Sequence, residues 1–286
     1  MRVFKRTKGK KQYYYLQHSF RKGGKVVTRE KYLGAEIPKD IEKIKKGFET
    51  EVQSDLFDKL EKIKKNFQEE WKKIPESVKK KEKEEISIVF TYNTNAIEGS
   101  TITLKDAREI IHDKISPNKP LRDVEETDAH SRVFLNMLEK KDNITNDLLL
   151  KWHEEIFGIT KPDISGKFRD YLVRVGSYLA PAWQDVEKLM KELIIFLNNA
   201  EKEKINPVEI SGRAHYRFER IHPFGDGNGR IGRLLLNHVL WHNGYPMLII
   251  EYKKRRSYYV ALSKGENEFL QYFIKRYLAV HKKRYL

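Results

Sequence analysis

Twelve residues, His222-Pro223-Phe224-Gly225-Asp226-Gly227-Asn228-Gly229-Arg230-Ile231-Gly232-Arg233, bring together an imidazole, a carboxylate, an amide, four glycines and two guanidinium groups. Glycine lacks Cβ, so Gly225, Gly227 and Gly229 can take φ > 0 and turn successive N–H groups toward one point, an anion-binding nest. The apolar residues Ile231, Leu234, Leu235 and Val239 that follow predict a helix starting near Gly229. Its free N–H groups would add to the same site. Arg230 and Arg233 then share a helix face, where both guanidinium groups would meet the outer phosphates of a polyphosphate. Asp226 is placed to hold a divalent cation, Mg²⁺ or Mn²⁺, against those phosphates. The His222 ring could take a proton from an incoming hydroxyl, and Phe224 is expected to anchor the loop in the core.

The stretch resembles the Fic family signature, His-Pro-Phe-x-(Asp or Glu)-Gly-Asn-Gly-Arg-x-x-Arg, at every fixed position. The resemblance implies a protein adenylyltransferase that moves AMP from ATP to a Ser, Thr or Tyr hydroxyl of a target protein. In those terms His222 is the catalytic base and Asp226 the metal ligand. Gly227, Asn228, Gly229, Arg230, Ile231, Gly232 and Arg233 form the triphosphate cradle. The related Doc proteins transfer phosphate and carry Ala and Lys at the positions of Gly227 and Gly229, so the glycines favour AMP transfer, with Doc-like phosphotransfer as the alternative.

Thr94-x-x-x-Glu98-Gly99 resembles the inhibitory motif of the Fic subclass that carries it N-terminal to the core. By resemblance Glu98 would pair with Arg233, fill the space meant for the γ-phosphate, and possess a second use in positioning water to remove AMP. Val173, Arg174, Val175 and Gly176 correspond to the Fic flap and are expected beside the nucleotide. Arg256-x-Tyr258-Tyr259 resembles the element that holds the adenine base; the Asn expected seven residues after Tyr259 is Glu266 here, with Asn267 next to it.

These residues need elements to position them. A stripe of Ile41, Ile44, Phe48, Val52, Leu56, Leu60, Ile63, Phe67, Trp71 and Ile74 predicts a long helix from Pro38 to Ile74, with a packing seam toward another helix of this chain or of a partner. A second helix over Lys79–Ile97 would end at Gly99, a natural C′ residue. Glu98 there opposes the helix dipole unless a cation pairs with it. Thr103 and Asp106 have capping-box spacing for a helix starting at Leu104. Further helices are expected over Val124–Glu139, Thr145–Phe157, Asp185–Asn199 and from Pro207 to the signature. His153 and Glu154 read as a helix-surface pair. His215 and His222 lack a third ligand at metal spacing, and His238 and His242 read as structural. Tyr171–Gly176 alternates like a short strand or hairpin closed by Pro181.

Residues 1–35 read as strands: Tyr13–Leu16 and Lys25–Thr28 flank Gly23-Gly24, a hairpin signal, and Lys31–Leu33 is a third. The segment holds eleven Lys/Arg against one acidic residue, and residues 253–286 hold ten against two, so the net charge of +16 sits at the two ends. Basic residues interleaved with tyrosines suit a nucleic-acid surface, and equally a small sheet with solvated lysines.

The fold class is therefore mainly α: a Fic-type helical core with a short β-hairpin flap, preceded by a small N-terminal β-hairpin or sheet segment and a long helix. Its parts are residues 1–37 (basic β segment), 38–120 (helical, with the inhibitory motif), 121–252 (the core) and 253–286 (a C-terminal helical extension). Cysteine is absent, which removes disulfides, thiolate metal sites and a Cys nucleophile. No transmembrane or signal-peptide run is present, so a cytoplasmic protein without a membrane partner is expected. The helical seam and the family suggest a homodimer. The competing class is a nucleic-acid-binding regulator that uses residues 1–35 beside a vestigial core.

Overall fold

The computed structural model describes residues 2–9, 11–22, 25–38, 40–203 and 205–286. The chain divides into two compact units, Met1–Glu61 and Lys62–Leu286. The first holds a three-stranded antiparallel sheet in the order β1 (Arg2–Lys8), β2 (Lys11–Lys22), β3 (Lys25–Gly34). The strand count agrees with the sequence reading but the partition differs. Arg2–Lys8 is a strand that its lysines had hidden, and the two segments expected around Lys25 and Tyr32 are one continuous strand. The Gly23-Gly24 turn lies outside the described residues. Alternation puts Leu16, fully buried, on one face and Tyr13 and Tyr15 on the other.

The long helix α1 (Ile41–Lys73) ends in the second unit. There Phe67 and Trp71 pack edge-on and tilted against Trp241 and Tyr285, with ring centroids 5.3–5.9 Å apart. This part of the apolar stripe is consumed within the chain. α2 (Glu76–Ile97) closes as expected: Gly99 takes φ +89°, and Ser100 N–H reaches back to Asn95 O at 3.1 Å. α3 (Leu104–Arg108) starts on the Thr103–Asp106 capping box and runs into a π-helical turn, Glu109–Asp113.

α2, α4 (Leu121–Glu139), α5 (Asn146–Phe157) and α7 (Pro207–Ile221) pack against α8 (Asn228–His242), α6 (Val186–Lys202) lies on α5 and α7, and α9 (Arg255–Leu262) and α10 (Glu266–Tyr285) complete the unit. Every residue of α8 from Asn228 to Leu240 is buried. A helix buried all round is normally apolar, yet this one carries Asn228, Arg230, Arg233, Asn237 and His238. Buried polar groups need partners; those of Arg230 and Arg233 come from α4 and from the end of α2, and they make the site.

Between α5 and α6 the chain forms a two-rung hairpin, β4 (Arg174–Val175) with β5 (Tyr178–Leu179), turned at Gly176 with φ +59°. Among the described residues no helix is long and apolar enough to cross a membrane.

Candidate active site

α7 ends at His222, which takes the left-handed conformation (φ +51°) as the helix C-cap. Its position is held from the side by Arg169, a buried guanidinium that donates to His222 O at 2.8 Å, Tyr171 O at 2.8 Å and Pro181 O at 2.7 Å. One side chain thus ties the signature loop to both ends of the hairpin. The His222 ring donates from Nδ1 to Glu219 O at a long 3.4 Å, which leaves Nε2 as the lone-pair nitrogen. Burial, against the help of that carbonyl, holds the ring below the usual imidazole range, so it is neutral at pH 7 and able to accept a proton.

The loop then folds on itself. Asn228 Oδ1 accepts from Phe224 N–H at 2.8 Å and its amide donates to Phe224 O at 2.9 Å, so this side chain staples the loop instead of facing a ligand. Phe224 is fully buried and stacks on His153 at 3.9 Å. Of Gly225, Gly227 and Gly229, expected to share φ > 0, only Gly227 has it, at +79°. At the other two the need is for space: a Cβ on Gly225 would strike the Tyr171 hydroxyl, and one on Gly229 would strike Glu98 Oε1.

No side chain caps the start of α8. The Glu98 carboxylate lies against Gly229 in the helix's first turn and accepts from Arg233 Nη2 at 2.5 Å. Arg233 also donates from Nε to Thr94 Oγ1 at 2.6 Å and from Nη2 to Thr94 O at 3.2 Å. Burial opposes the charge on Arg233, but Glu98 outweighs it and raises the guanidinium above its ordinary range. The cost of an acid at the C-terminus of α2 is thereby offset by a cation and by the N-terminus of α8. Arg233 Nη1 remains buried with no hydrogen-bond partner, a donor with room for one more anion. Near it Glu219 keeps Oε1 buried with no hydrogen bond, and burial pushes its carboxyl up to about 8.

Arg230, expected to wait beside Arg233 for phosphate, is already engaged. It donates to the buried Glu126 of α4, stacks on Phe157 at 4.3 Å and lies 3.6 Å from Asp226 Oδ2. Glu126 also accepts from Lys161 Nζ at 2.5 Å and Thr160 Oγ1 at 2.9 Å, and Lys161 reaches Asp226 Oδ2 at 3.0 Å. Burial works to raise Glu126 and Asp226, yet Arg230 and Lys161 hold both carboxyls below the usual range. Asp226 is therefore an ionised, half-exposed carboxylate. That suits a cation shared with phosphate oxygens, with Lys161 falling back on Glu126. It does not suit a protein cage, and among the described residues no three His, Cys, Asp or Glu cluster.

His153 is no surface residue. It is fully buried, accepts from Gly166 N–H on Nδ1 at 3.1 Å and so donates from Nε2 to Asp226 O at 3.0 Å. Burial lowers it to about 4, which keeps that tautomer neutral. Glu154 is exposed, as expected. The two tyrosines also part company. Tyr258 is fully buried, with its hydroxyl 2.8 Å from His215 Nε2, so it presents no face to a purine; Tyr259 is 43% exposed and alone of the pair can stack a base. Glu266 is held by Arg213 and Arg217, and Asn267 accepts from Arg213 at 3.2 Å. Val173 is half-buried while Arg174, Val175 and Gly176 are exposed on the hairpin.

The profile of the Fic/DOC family matches residues 143–240. The chain carries a Fic/DOC-family domain. The protein adenylyltransferase Fic of Nematostella vectensis is 34% identical over 189 residues, 64% of this chain and 44% of that one. Protein adenylyltransferase fic-1 of Caenorhabditis elegans is 35% identical over 204 residues, 69% of this chain and 40% of that one. The chain thus spans less than half the length of the curated relatives it matches. A solved Fic-1 fragment from C. elegans superposes with a TM-score of 0.68 at 28% identity, covering 81% of this chain and 72% of that one. A Fic domain containing signaling protein from Bacteroides thetaiotaomicron shares the fold at a TM-score of 0.68 and 24% identity, covering 78% and 96%.

The Fic/DOC domain holds His222, Asp226, Arg230 and Arg233, the hairpin and Arg169. Glu98 and Glu126 come from helices that precede it. Arg169, His153, Lys161 and Glu126 were absent from the sequence reading of the Fic site. Arg169 lies two residues before the expected hairpin, and no signal in the sequence marked any of the four.

Proposed function

We propose that the protein is an adenylyltransferase that transfers AMP from ATP to a serine, threonine or tyrosine hydroxyl of a target protein, and that Glu98 holds it silent at rest. The observation that carries this reading is a carboxylate from α2 lying on Arg233 at an uncapped helix N-terminus, one loop away from a neutral histidine. An anion-binding site already filled by the chain's own anion is what an inhibited nucleotide site requires.

In the forward reaction the target hydroxyl attacks the α-phosphorus in line with the leaving oxygen. The new O–P bond forms as the bond to pyrophosphate breaks, and the hydroxyl proton passes to His222 Nε2. Arg233, once Glu98 has left, and the N–H groups of Asn228, Gly229 and Arg230 bind the β- and γ-phosphates. Asp226 would hold Mg²⁺ or Mn²⁺, which offsets phosphate charge. Arg230 and Lys161 act one step back by fixing Asp226 against Glu126. The hairpin residues Val173–Gly176 clamp the nucleotide and align the target, and Tyr259 stacks the adenine. In the reverse direction Glu98 positions a water that removes AMP from the modified hydroxyl.

Phosphotransfer in the Doc manner is disfavoured by space. Lysine at position 229 would meet Glu98, and even alanine at 227 would meet Phe157 with φ at +79°. The test is transfer from ATP labelled on the α- or the γ-phosphate, by the wild type, Glu98→Gly and Glu98→Gly/His222→Ala. We expect weak α-label transfer by the wild type, strong transfer by Glu98→Gly including to itself, and none by the double variant. A folded, ATP-binding Glu98→Gly protein that transfers no α-label would overturn the reading. The homodimer rests on the family resemblance once Phe67 and Trp71 are used internally, and light scattering of the purified chain tests it. Fractionation tests the cytoplasm as its compartment.

A further inference from the structure

The active-site reading leaves the first unit without a task. In its sheet the register places Arg2, Phe4, Arg6 and Lys8 opposite Gln17, Tyr15, Tyr13 and Lys11. On the other edge it places Tyr32 opposite Tyr15 and Glu30 opposite Gln17. Residues opposite one another share a face, so Phe4, Tyr13, Tyr15 and Tyr32 form one aromatic surface flanked by Arg2, Arg6, Lys8 and Lys11. The aliphatic residues Val3 and Leu16 take the opposite face, where Leu16 is fully buried.

Leu16 is thus buried on one face, while on the aromatic face Phe4, Tyr13 and Tyr15 are half-buried and Tyr32 is exposed. Phe4 and Tyr15 stack at 5.6 Å, Tyr15 and Tyr32 meet at 5.3 Å, and Tyr13 and Tyr32 at 6.1 Å, so the rings are a continuous platform. Tyr32 at its edge is 55% exposed. The Arg6 guanidinium lies 5.0 Å from the Phe4 ring and 5.1 Å from the Tyr15 ring. The acidic residue of this face, Glu30, is neutralised by Arg6 at 2.9 Å and accepts from Gln17 at 3.0 Å.

We propose that this aromatic and basic face binds single-stranded nucleic acid, with Tyr32 and its neighbours stacking bases and Arg2, Arg6, Lys8 and Lys11 following the phosphates. Charge complementarity names a polyanion. The rings select among polyanions, because an acidic peptide has no flat groups to stack and the bases of a duplex have theirs covered. The inference stands independently of AMP transfer.

The test is fluorescence anisotropy of the full chain with labelled single-stranded DNA, single-stranded RNA and duplex DNA, and with polyglutamate as a polyanion lacking bases. We expect a single strand to bind more tightly than duplex or polyglutamate, with affinity falling as salt rises. Tyr32→Ala should weaken single-strand binding by about tenfold at an unchanged salt slope. Lys8→Ala should weaken it while reducing the slope by about 0.7. Tyr32 is exposed and far from the catalytic machinery in the chain, so AMP transfer in a Glu98→Gly background should not change, which reports folding. No single-strand binding, equal binding of polyglutamate, preference for duplex, or indifference to Tyr32→Ala would each overturn the proposal.

Discussion

Arg230 and Arg233 stand one turn apart on the same buried helix, and each receives a carboxylate from a different neighbouring helix. The two pairs are built for opposite ends. Glu126 is buried and shared among Arg230, Lys161 and Thr160, so its removal leaves two cations with the half-exposed Asp226 as their one remaining carboxylate. Glu98 remains 30% exposed at the end of a helix, makes its ion pair with one guanidinium, and leaves behind an Arg233 that Thr94 still holds. In the function proposed here the first pair is a lock that positions Asp226 and the second a plug that leaves. Residues of the same type at successive turns acquire different functions from what approaches them.

The largest effect we expect is on the plug side. In a Glu98→Gly background His222→Ala should lower α-label transfer by at least about 10²-fold, the usual range for losing a general base. Equal activity with and without His222 would remove it from the mechanism. Next, Glu98→Gly by itself should raise transfer about tenfold or more with little change in thermal stability. A fall in melting temperature without a gain in activity would make Glu98 a second lock.

On the lock side, Glu126→Ala should destabilise the fold by about 3 kcal/mol, the scale for breaking a buried ion pair, and should not release activity. Denaturant unfolding followed beside label transfer reads both. An active, stable Glu126→Ala protein would erase the distinction between the two arginines.

The smallest effect separates the sites by pH. His153, on the lock side, is held neutral at about 4, below the roughly 6.5 of an unfolded histidine. The unfolded chain therefore binds more protons between these values, and stability should fall as pH drops from about 6.5 toward about 4. His215, at about 3, adds to the same slope. His153→Gln should flatten part of it, and an unchanged slope would show that His153 is not buried neutral.

The signature loop was legible where its chemistry is local: the turn at Gly227, the helix start and Gly99 at the end of α2 follow from residues a few positions apart, whereas Gly225 and Gly229 answer to Tyr171 and Glu98, which are distant in sequence. The pairing of Glu98 with Arg233 was legible through the family resemblance, and the strained position of an acid at a helix C-terminus gave it a physical motive. Glu126, Lys161, Arg169 and His153 left no such trace, since Glu126 is 104 residues from Arg230 and His153 is 73 from Asp226. In sequence each is one more polar residue on a helix or loop. Tyr258 and Tyr259 make the same point at the shortest range. Their order says that a ring is available near the site, while packing buries one and exposes the other.

What the amino-acid order determined by itself is therefore the chemistry on offer: a base, a carboxylate, two guanidinium groups and a helix start, placed by backbone rules that act within a turn or a loop. The tertiary structure decided which of those groups are free. A buried charge must find a partner, and the partners of Arg230 and Arg233 arrive on α4 and α2, helices whose approach depends on the packing of the whole second unit.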